Sequence, residues 1–445
     1  MDRGRPARRA SREVPPHGLG CASPVCEGGR AGRPRSIECE TMRVLVVSHY
    51  ALPHVGGVEN LVDLEIRGLA AAGHDVTLVT SDGTGAGHTP AYPAAVTTIR
   101  VKASHVLERR GIPYPLFGPS LLSVLRREVR RADVVHAHGF MFQNSALALL
   151  VSRACGVPCV LTDHGGIQKF GSRAATLLAR LGAESVGRMS ATLATRVVTY
   201  NERIRQTLAR LGRRRDVEFI PNAVDAELFF PPTHSQRDAA RAALGWEPGR
   251  KKVLFVGRLI AAKGVPLLLK CADPSFDLVF CGPGDASGLG PGVQYLPPRP
   301  QAALRELYHA ADALALPAEV REGFPLVVQE AVACGLPVVL GYDPGFEPYR
   351  ALPNLFLCRT TVGEVRRAIA AALTADRNES GRAFFPAPEE WVRRLFDDGV
   401  GCVKPRFAAQ THRTDSEPTH SGTACRVCGC DRSMRCGASA PRSAA

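Results

Sequence analysis

Along most of the chain, short apolar runs alternate with segments whose apolar residues recur at helical spacing. The first run, RVLVVSH at residues 43–49, is almost continuously apolar, which is typical of a strand buried on both faces. The segment behind it keeps a helical period, with apolar residues at Val58, Leu61, Val62, Ile66 and Leu69. Similar runs follow, namely DVTLVTS, DVVHAHG, VPCVLTDH and TRVVTYN. This alternation predicts an α/β fold in which helices cover a parallel sheet.

The alternation pauses and then restarts, which predicts two domains. After the polar, proline-containing connector IPNAVDAELFFPPTHSQRD it resumes with KKVLFVGRL, FDLVFCG, VQYLP, ADALALP and LPVVLG. We predict one Rossmann-like domain over residues 42–222, a linker over 223–250 and a second Rossmann-like domain over 251–385. Residues 1–41, rich in Arg, Pro and Gly, predict a disordered basic extension. In 386–445 we expect a helix at EEWVRRLFDD that crosses back to the first domain, then a disordered tail that contains cysteines.

Composition narrows the range of partners. The chain has 445 residues and a formal net charge of +14, which favours an anionic partner such as a phosphorylated substrate or a membrane surface. It shows neither zinc-finger spacing nor an RNP-like aromatic motif in the folded region, so we predict no nucleic-acid partner. The segment PSLLSVLRREVRRAD combines an apolar stripe with arginines. It fits a helix at a membrane surface, and equally an ordinary helix with a solvated basic face.

The sequence also bears on location. It contains no uninterrupted apolar run long enough for a transmembrane helix, and residues 1–41 lack the apolar core of a secretory signal. We therefore predict a cytoplasmic protein, peripheral at the inner membrane face if the basic helix binds lipid. Its 14 cysteines are then expected to be thiols.

The segment EVREGFPLVVQEAVACGLPVV carries two carboxylates in an otherwise apolar sequence. We predict a helix from about Pro325 to Cys334, ended by Gly335. Its neighbours place Glu330 on a buried face, where a carboxylate needs a donor, either from the protein or from a ligand hydroxyl. Glu322 precedes the helix N-terminus, which attracts anions such as phosphate. The segment is interpreted as a ligand cradle, with a structural ion pair as the open alternative.

Several separate segments together resemble one enzyme family. They are HYALPHVGGVENLVDLEIRGLAAAGHDVTLVTS with its glycine loop, IPNAVD, VGRLIAAKG, and the E-x7-E element EGFPLVVQEAVACGLPVV. Over residues 42–371 the chain is similar to the GT-B glycosyltransferases of the retaining family 4, also called glycosyl transferases group 1. The resemblance implies two Rossmann-like domains whose parallel sheets face each other across a cleft.

The resemblance also assigns roles to individual residues. It implies that Glu330 binds the ribose hydroxyls of a nucleotide sugar, that Glu322 lies beside the transferred sugar, and that His138 approaches it. The remaining implied site residues are Arg258 and Lys263 at the donor diphosphate, Gly323, Phe324 and Pro325 at the phosphate end, and Gly56, Gly57 and His164 at the acceptor side of the cleft. His136, which shares a strand face with His138, is interpreted as buried packing.

The reaction implied is transfer of a hexosyl group from a UDP- or GDP-sugar to a lipid-linked, glycolipid or polysaccharide acceptor, with retention of configuration. No cofactor and no metal are expected, because GT-B enzymes of this kind are metal-independent. The chain departs from the family after GLPVV, where LGYDPGFEPYR keeps only Gly345 of the usual glycine turn. Two alternatives therefore stay open, a nucleotide-sugar-binding protein without catalysis and a GT-B epimerase or phosphorylase. A dinucleotide-dependent dehydrogenase is disfavoured, since GPGDASG lacks the G-x-G-x-x-G spacing.

Overall fold

The computed structural model describes residues 41–83, 89–108, 112–167, 173–290, 292–318 and 323–396, and the rest of this section concerns those residues. The predicted α/β architecture is confirmed, with two parallel sheets. The predicted basic extension, the tail with its cysteines, and Glu322 lie outside the described residues.

In the described part of the chain the first sheet has seven parallel strands in the order β3-β2-β1-β6-β7-β8-β9. Its register pairs Val44 of β1 with Val76 of β2 on one side and with Val134 of β6 on the other. A short antiparallel pair, β4 with β5, lies outside the sheet. The strands are β1 (Arg43–Val47), β2 (Asp75–Ser81), β3 (Val96–Val101), β4 (Ala103–Ser104), β5 (Leu116–Phe117), β6 (Val134–His138), β7 (Cys159–Asp163), β8 (Arg196–Thr199) and β9 (Val217–Phe219).

The second sheet has six parallel strands, again counted over the described residues, in the order β12-β11-β10-β13-β14-β15. Its centre is β10, paired with β11 and β13. The strands are β10 (Lys251–Val256), β11 (Phe276–Cys281), β12 (Val293–Leu296), β13 (Ala313–Leu316), β14 (Val338–Gly341) and β15 (Leu355–Cys358).

Helices connect most of the successive strands of the two sheets, since parallel pairing requires a crossover connection. The helices are α1 (Gly57–Ala71), α2 (Ser120–Arg131), α3 (Gln143–Cys155), α4 (Arg173–Gly182), α5 (Arg188–Leu193), α6 (Glu202–Gly212), α7 (His234–Ala243), α8 (Val265–Leu269), α9 (Gln301–Ala310), α10 (Leu326–Ala333), α11 (Val362–Thr374) and α12 (Pro388–Phe396). The predicted helix at 325–334 is α10, which starts after Pro325 and ends before Gly335, where φ is +69°. Among the described residues no helix is both long and apolar enough to cross a bilayer.

Helix α12 follows the second sheet in the chain but packs on the first. Its Trp391 and Leu395 are buried in the same apolar cluster as Val44 of β1 and Leu69 of α1. Arg196 of β8 donates hydrogen bonds to the carbonyl oxygens of Arg394 and Leu395, at 2.7 and 2.8 Å, and so satisfies acceptors at the helix end. The last helix therefore ties the two halves together.

The two halves also meet beside the strand ends. The hydroxyl of Tyr349 donates to the carbonyl oxygen of Tyr200 at 2.7 Å, and Arg203 Nε lies 3.2 Å from Asp343 Oδ1. A cleft wall is thus built from residues that follow β8 and β14. Because the carboxyl ends of parallel strands collect ligands in such folds, this edge is where a site is expected.

Candidate functional site

The loop between β13 and α10 carries the core of the site. Residues 319–322 of this loop are outside the described part, so the structure does not report on Glu322. Phe324 is 2% exposed and stacks on Tyr349, with ring centroids 3.7 Å apart and an interplanar angle of 3°. Gln329 donates from Nε2 to the carbonyl oxygen of Phe324 at 3.0 Å. These contacts therefore fix the backbone of Phe324 and Pro325 just before the N-terminus of α10.

Gly323 lies at a close approach between the two halves of the chain. A Cβ atom at this position would lie 2.5 Å from the carbonyl oxygen of His164 and 2.6 Å from the ring of Tyr200. Both contacts come from the first half, after β7 and β8. Gly345, the family glycine that the departing loop keeps, packs in the same way, since its Cβ would lie 2.1 Å from Asn201 Oδ1. A Cβ at Gly323 would clash with backbone of the other half, and a Cβ at Gly345 would displace the Asn201 side chain, so glycine suits both places.

Glu330 is buried, as its apolar neighbours predict, and is 5% exposed. Its donors are protein groups of α9: Tyr308 donates to Oε2 at 2.8 Å and Gln301 Nε2 donates to Oε1 at 3.3 Å. Burial raises the pKa of Glu330 to about 7, although these two hydrogen bonds act to lower it. Neither partner is the arginine of the ion-pair alternative.

The loop after β10 brings the two predicted cations to the same edge. Gly264, at φ +85°, lies so close to the residue after β13 that a Cβ would be 2.2 Å from the Pro317 carbonyl oxygen. Lys263 is therefore adjacent to the start of the β13–α10 loop and is half-buried, whereas Arg258 is exposed. A cation at this place can meet an anionic ligand seated before α10.

The predicted histidines lie one behind the other on the first half. His138 is 0% exposed, and its Nδ1 lies 2.9 Å from His164 Nε2, with the two rings parallel within 8°. His164 is 8% exposed and its Nδ1 lies 3.1 Å from the hydroxyl of Tyr200. The structure therefore brings His164 to the Gly323 loop and places His138 behind it, where its ring faces protein groups.

Burial explains why the rings of His138 and His164 are neutral. Desolvation lowers the pKa of His138, and the neighbouring His136 adds to this, while Glu65 opposes it. Desolvation likewise holds the pKa of His164 well below its usual range, with His138, His136 and His49 contributing. Both imidazoles are therefore neutral near pH 7.

The predicted glycine loop lies beside an acidic cluster. Gly56 and Gly57 precede and begin α1, and a Cβ on Gly56 would lie 2.2 Å from Glu59 Oε2. His54 Nδ1 is 2.7 Å from Glu59 Oε1, and its Nε2 is 2.9 Å from Glu108 Oε1. Although burial acts to lower it, these contacts raise the pKa of His54. This wall carries two carboxylates and two imidazoles, since His105 Nδ1 also lies 3.2 Å from Glu108 Oε2.

Several residues of the site were not predicted from the sequence. Tyr308 and Gln301 hold Glu330, Gln329 holds the Phe324 carbonyl, and Tyr200 links His164 to Gly323. Of these only Gln329 carries a local signal, since it is a polar residue on a helix whose other buried positions, apart from Glu330, are apolar. The others become site residues only through contacts between distant segments.

Sequence profiles of two families match the chain in succession. The profile described as Glycosyltransferase Family 4 matches residues 55–228, and the one described as Glycosyl transferases group 1 matches residues 236–351. The first match spans the half that carries His138 and His164, and the second spans the half that carries Lys263 and Glu330.

Curated relatives agree with these profiles. A D-inositol 3-phosphate glycosyltransferase 1 from Catenulispora acidiphila is 32% identical over 311 residues, which is 63% of this chain and 68% of the relative. The D-inositol 3-phosphate glycosyltransferase from Mycolicibacterium smegmatis is 29% identical over 67% of this chain and 75% of its own length. For the one from Segniliparus rotundus the match is 36% identical but spans only 31% of that protein.

Solved structures share the fold. Sucrose-phosphate synthase from Thermosynechococcus elongatus has a TM-score of 0.58 at 20% identity, over 80% of this chain and 95% of that one. HepE from Anabaena, in complex with UDP, has a TM-score of 0.58 at 18% identity, over 80% and 96% of the two chains. WaaG, a glycosyltransferase involved in lipopolysaccharide biosynthesis, has a TM-score of 0.54 at 19% identity, over 80% and 95%.

Proposed function

This chain belongs to the family-4, group 1 glycosyltransferases of GT-B fold, and from that premise we propose that it transfers a hexosyl group from a UDP- or GDP-sugar to a lipid-linked, glycolipid or polysaccharide acceptor, with retention of configuration. The observation that carries the proposal is the contact of Gly323 with His164 and Tyr200. It joins the donor loop of one half to the histidines of the other, at the edge where the strands of both sheets end.

The donor side is argued from Glu330 and the loops around it. Tyr308 and Gln301 each occupy one oxygen of the carboxylate, and a carboxylate oxygen has a further lone pair for a ribose hydroxyl. Arg258 and Lys263 supply positive charge for the diphosphate, beside the N-terminus of α10. Anabaena HepE, a structural neighbour, was crystallised with UDP and with UDP-glucose, which supports a nucleotide-sugar donor here.

The chemistry follows from where charge develops. Breaking the bond between sugar and diphosphate leaves negative charge on the diphosphate, which the two cations stabilise more in the transition state than in the ground state. In the proposal Glu322 and His138 are the catalytic residues, as the family resemblance implies. His138 lies behind His164 and acts on the cleft through the ring of His164. Retention is proposed without a protein nucleophile, with the leaving phosphate taking the proton of the acceptor.

The acceptor side is argued from the wall near Gly56. The curated relatives are named for an inositol phosphate acceptor, but here Glu59 and Glu108 place two carboxylates beside the glycine loop. Carboxylates accept hydrogen bonds from sugar hydroxyls and repel a phosphate. A hydroxyl-rich glycan end is therefore favoured over a phosphorylated polyol at this wall.

A membrane surface is proposed as the place of action, at the cytoplasmic face. In α2 the apolar stripe, with Leu121, Leu125 and Val129, is buried in the core of the first half. The basic face is exposed and lines an open groove of about 690 Å³; it comprises Arg126, Arg127, Arg130 and Arg131. Anionic lipid headgroups fit this face by charge alone, without insertion of the helix.

The experiment that tests the function uses the purified full chain and a panel of UDP- and GDP-sugars. We expect one donor to raise the unfolding temperature and to be hydrolysed slowly without acceptor. The Glu330→Ala and Lys263→Ala variants should lose both effects. Transfer to glycolipid or polysaccharide acceptors, with the anomeric configuration of the product read by NMR, then tests the acceptor class and retention. Binding without turnover would favour the non-catalytic alternative, and absence of binding to every donor would refute the proposal.

A further inference from the structure

A carboxylate that the proposed chemistry does not use lies buried behind the histidines. Glu65 of α1 is 0% exposed, as are His136 and His138 of β6, which share one face of the strand. Glu65 Oε1 is 2.5 Å from His136 Nδ1, and Glu65 Oε2 is 2.9 Å from His138 Nε2. The second contact is oblique to the ring N–H, so it is an electrostatic pairing and not a linear hydrogen bond. A buried carboxylate with two imidazole partners is too costly to be incidental packing.

The three groups could in principle hold a metal ion, since their ligand atoms lie within 4.8 Å of one another. The distances argue for direct contact instead. Ligands about 2.1 Å from a tetrahedral metal lie more than about 3 Å from one another, but Glu65 and His136 are 2.5 Å apart. The other nitrogen of each ring is engaged by the protein, His136 Nε2 by Thr162 at 2.7 Å and His138 Nδ1 by His164, which suits both cases, so the short distance between Glu65 and His136 decides. The cluster is therefore one of charge and hydrogen bonds.

The cluster continues to the cleft as a chain of contacts. From His138 Nδ1 it passes to His164 Nε2 at 2.9 Å, and from His164 Nδ1 to the Tyr200 hydroxyl at 3.1 Å. The hydroxyl of Tyr200 would be 2.8 Å from a Cβ on Gly323, so the chain ends against the donor loop. Four side chains thus connect the interior of the first half to the proposed donor site.

The charge on Glu65 sets the direction of every proton in this chain. Burial acts to raise the pKa of Glu65, but its contacts with the rings of His136 and His138 outweigh this and hold the pKa well below its usual range. An ionised carboxylate can only accept, so the neutral His138 must carry its proton on Nε2. Its Nδ1 then accepts from His164 Nε2–H, and His164 Nδ1 accepts from the Tyr200 hydroxyl. The opposite tautomer would set a lone pair of His138 against the carboxylate.

We propose that Glu65 is a positioning residue of the transfer reaction, which fixes the tautomers of His138 and His164 and so turns the hydroxyl proton of Tyr200 inward. The Tyr200 hydroxyl, which lies against the Gly323 loop, then donates to His164 Nδ1 at 3.1 Å in preference to the His164 carbonyl oxygen at 3.4 Å. Glu65 touches no substrate and acts through the two histidines. This inference rests on the proposed transferase function for its effect on turnover, but its proton arrangement does not.

The first test needs no variant and no substrate. In the full chain grown with isotope-labelled histidine, nitrogen NMR distinguishes the two tautomers, and single His→Gln substitutions assign the signals. We expect His138 and His164 to be neutral with the proton on Nε2 near pH 7. Protons on Nδ1 in either ring, or charged rings, would overturn the proposal whether or not the protein is a transferase.

The second test uses Glu65→Gln, which keeps the size of the side chain but offers an amide N–H. If that N–H faces His138, the tautomers of His138 and His164 invert, and kcat is expected to fall about tenfold or more with little change in the donor KM. Asp63→Asn on the same helix is the matched control, because Asp63 pairs with Arg67 at 3.0 Å and contacts neither histidine. Inverted tautomers with unchanged kcat, or a change confined to KM, would overturn the positioning role. If Glu65→Gln does not fold, the tautomers of His138 and His164 measured by NMR in the wild-type protein decide whether the proposal stands.

Discussion

The phenol of Tyr308 donates to Glu330 Oε2 at 2.8 Å inside the second half of the protein. Tyr308 is 0% exposed and Gln301, which donates to the other oxygen, belongs to the same helix α9. The Glu330 carboxylate, which is proposed to bind the ribose, is thus oriented by protein donors before a ligand arrives. Preorganisation of this kind lowers the entropy cost of binding a vicinal diol.

Glu330→Gln should make the protein more stable at alkaline pH. Burial raises the pKa from its ordinary value of 4.5 to about 7, so the folded state holds the proton more tightly than the unfolded state. The stability gained from this is complete below about pH 4.5 and is lost as pH rises through about 7. Glutamine cannot ionise, so the variant should exceed the wild type by up to roughly 3 kcal/mol above about pH 8 and by little near pH 5. Urea denaturation across this range measures the difference.

The same variant should bind the donor more weakly, because an amide offers one acceptor oxygen where the carboxylate offers two. Calorimetry with whichever donor the panel of UDP- and GDP-sugars identifies tests this. Glu364→Gln is the control, since that carboxylate is 39% exposed and pairs with Arg367 of the same helix α11. A Glu330→Gln protein with unchanged donor affinity would remove the ribose role.

The burial of Glu330 could be predicted locally, but its partners could not. The apolar residues around it fix which face of α10 is buried, and a helical period is visible in one short segment. Tyr308 and Gln301 lie 22 and 29 residues earlier, on a different helix. Inspection of a single sequence does not reveal which distant side chains meet in the fold. The sequence therefore predicts a donor from the protein or from a ligand, but it does not identify Tyr308.

Glu65 is the opposite case, because its signal was present in the sequence. It lies four residues after Leu61 and four before Leu69, so it belongs to the apolar stripe that predicted α1. An acid in such a stripe indicates a buried partner, here the histidines of β6. Most continuously apolar strands were predicted, although β15, LFLC, was not. The edge strand β3, VTTIRV, was missed because one side of an edge strand is exposed and polar residues are tolerated there.

Gly323→Ala should weaken donor binding, because the added methyl group would push the two halves of the chain apart. The added methyl would lie 2.5 Å from the His164 carbonyl oxygen, which belongs to backbone and cannot rotate away. We expect a cost of about 1–3 kcal/mol in stability, as for other overpacked sites, and a matching loss of donor affinity. Thermal unfolding and donor titration measure both.

Gly363→Ala provides the control for this substitution. Nothing lies within 4 Å of a Cβ at Gly363, which begins the helical stretch of α11. Alanine is favoured over glycine in a helix, so this variant should be as stable as the wild type or slightly more so. If Gly323→Ala behaved like Gly363→Ala, the close contact between the halves would not exist in solution.

Lys263→Ala and Arg258→Ala should weaken binding of the nucleoside diphosphate far more than binding of the nucleoside. Both residues are proposed to face the diphosphate, so titrations with UDP or GDP should show a loss of about 1–3 kcal/mol per cation, and titrations with uridine or guanosine almost none. Lys270→Ala is the control, because Lys270 is exposed at the end of α8. Equal losses for nucleoside and diphosphate would point to a structural role for these side chains.

Neutralising the basic face of α2 should abolish binding to anionic membranes. Each arginine near an anionic surface contributes about 1 kcal/mol, so Gln at Arg126, Arg127, Arg130 and Arg131 should reduce binding to phosphatidylserine vesicles by a factor on the order of a thousand. The control set carries the same charge change on the second half, with Gln at the exposed Arg359, Arg366, Arg367 and Arg382. Vesicle flotation over a range of salt should show wild-type binding that weakens as salt rises, because the apolar stripe of α2 is buried and cannot insert. Equal losses for both sets would mean that net charge alone drives binding, and retained binding in high salt would mean that another surface enters the bilayer.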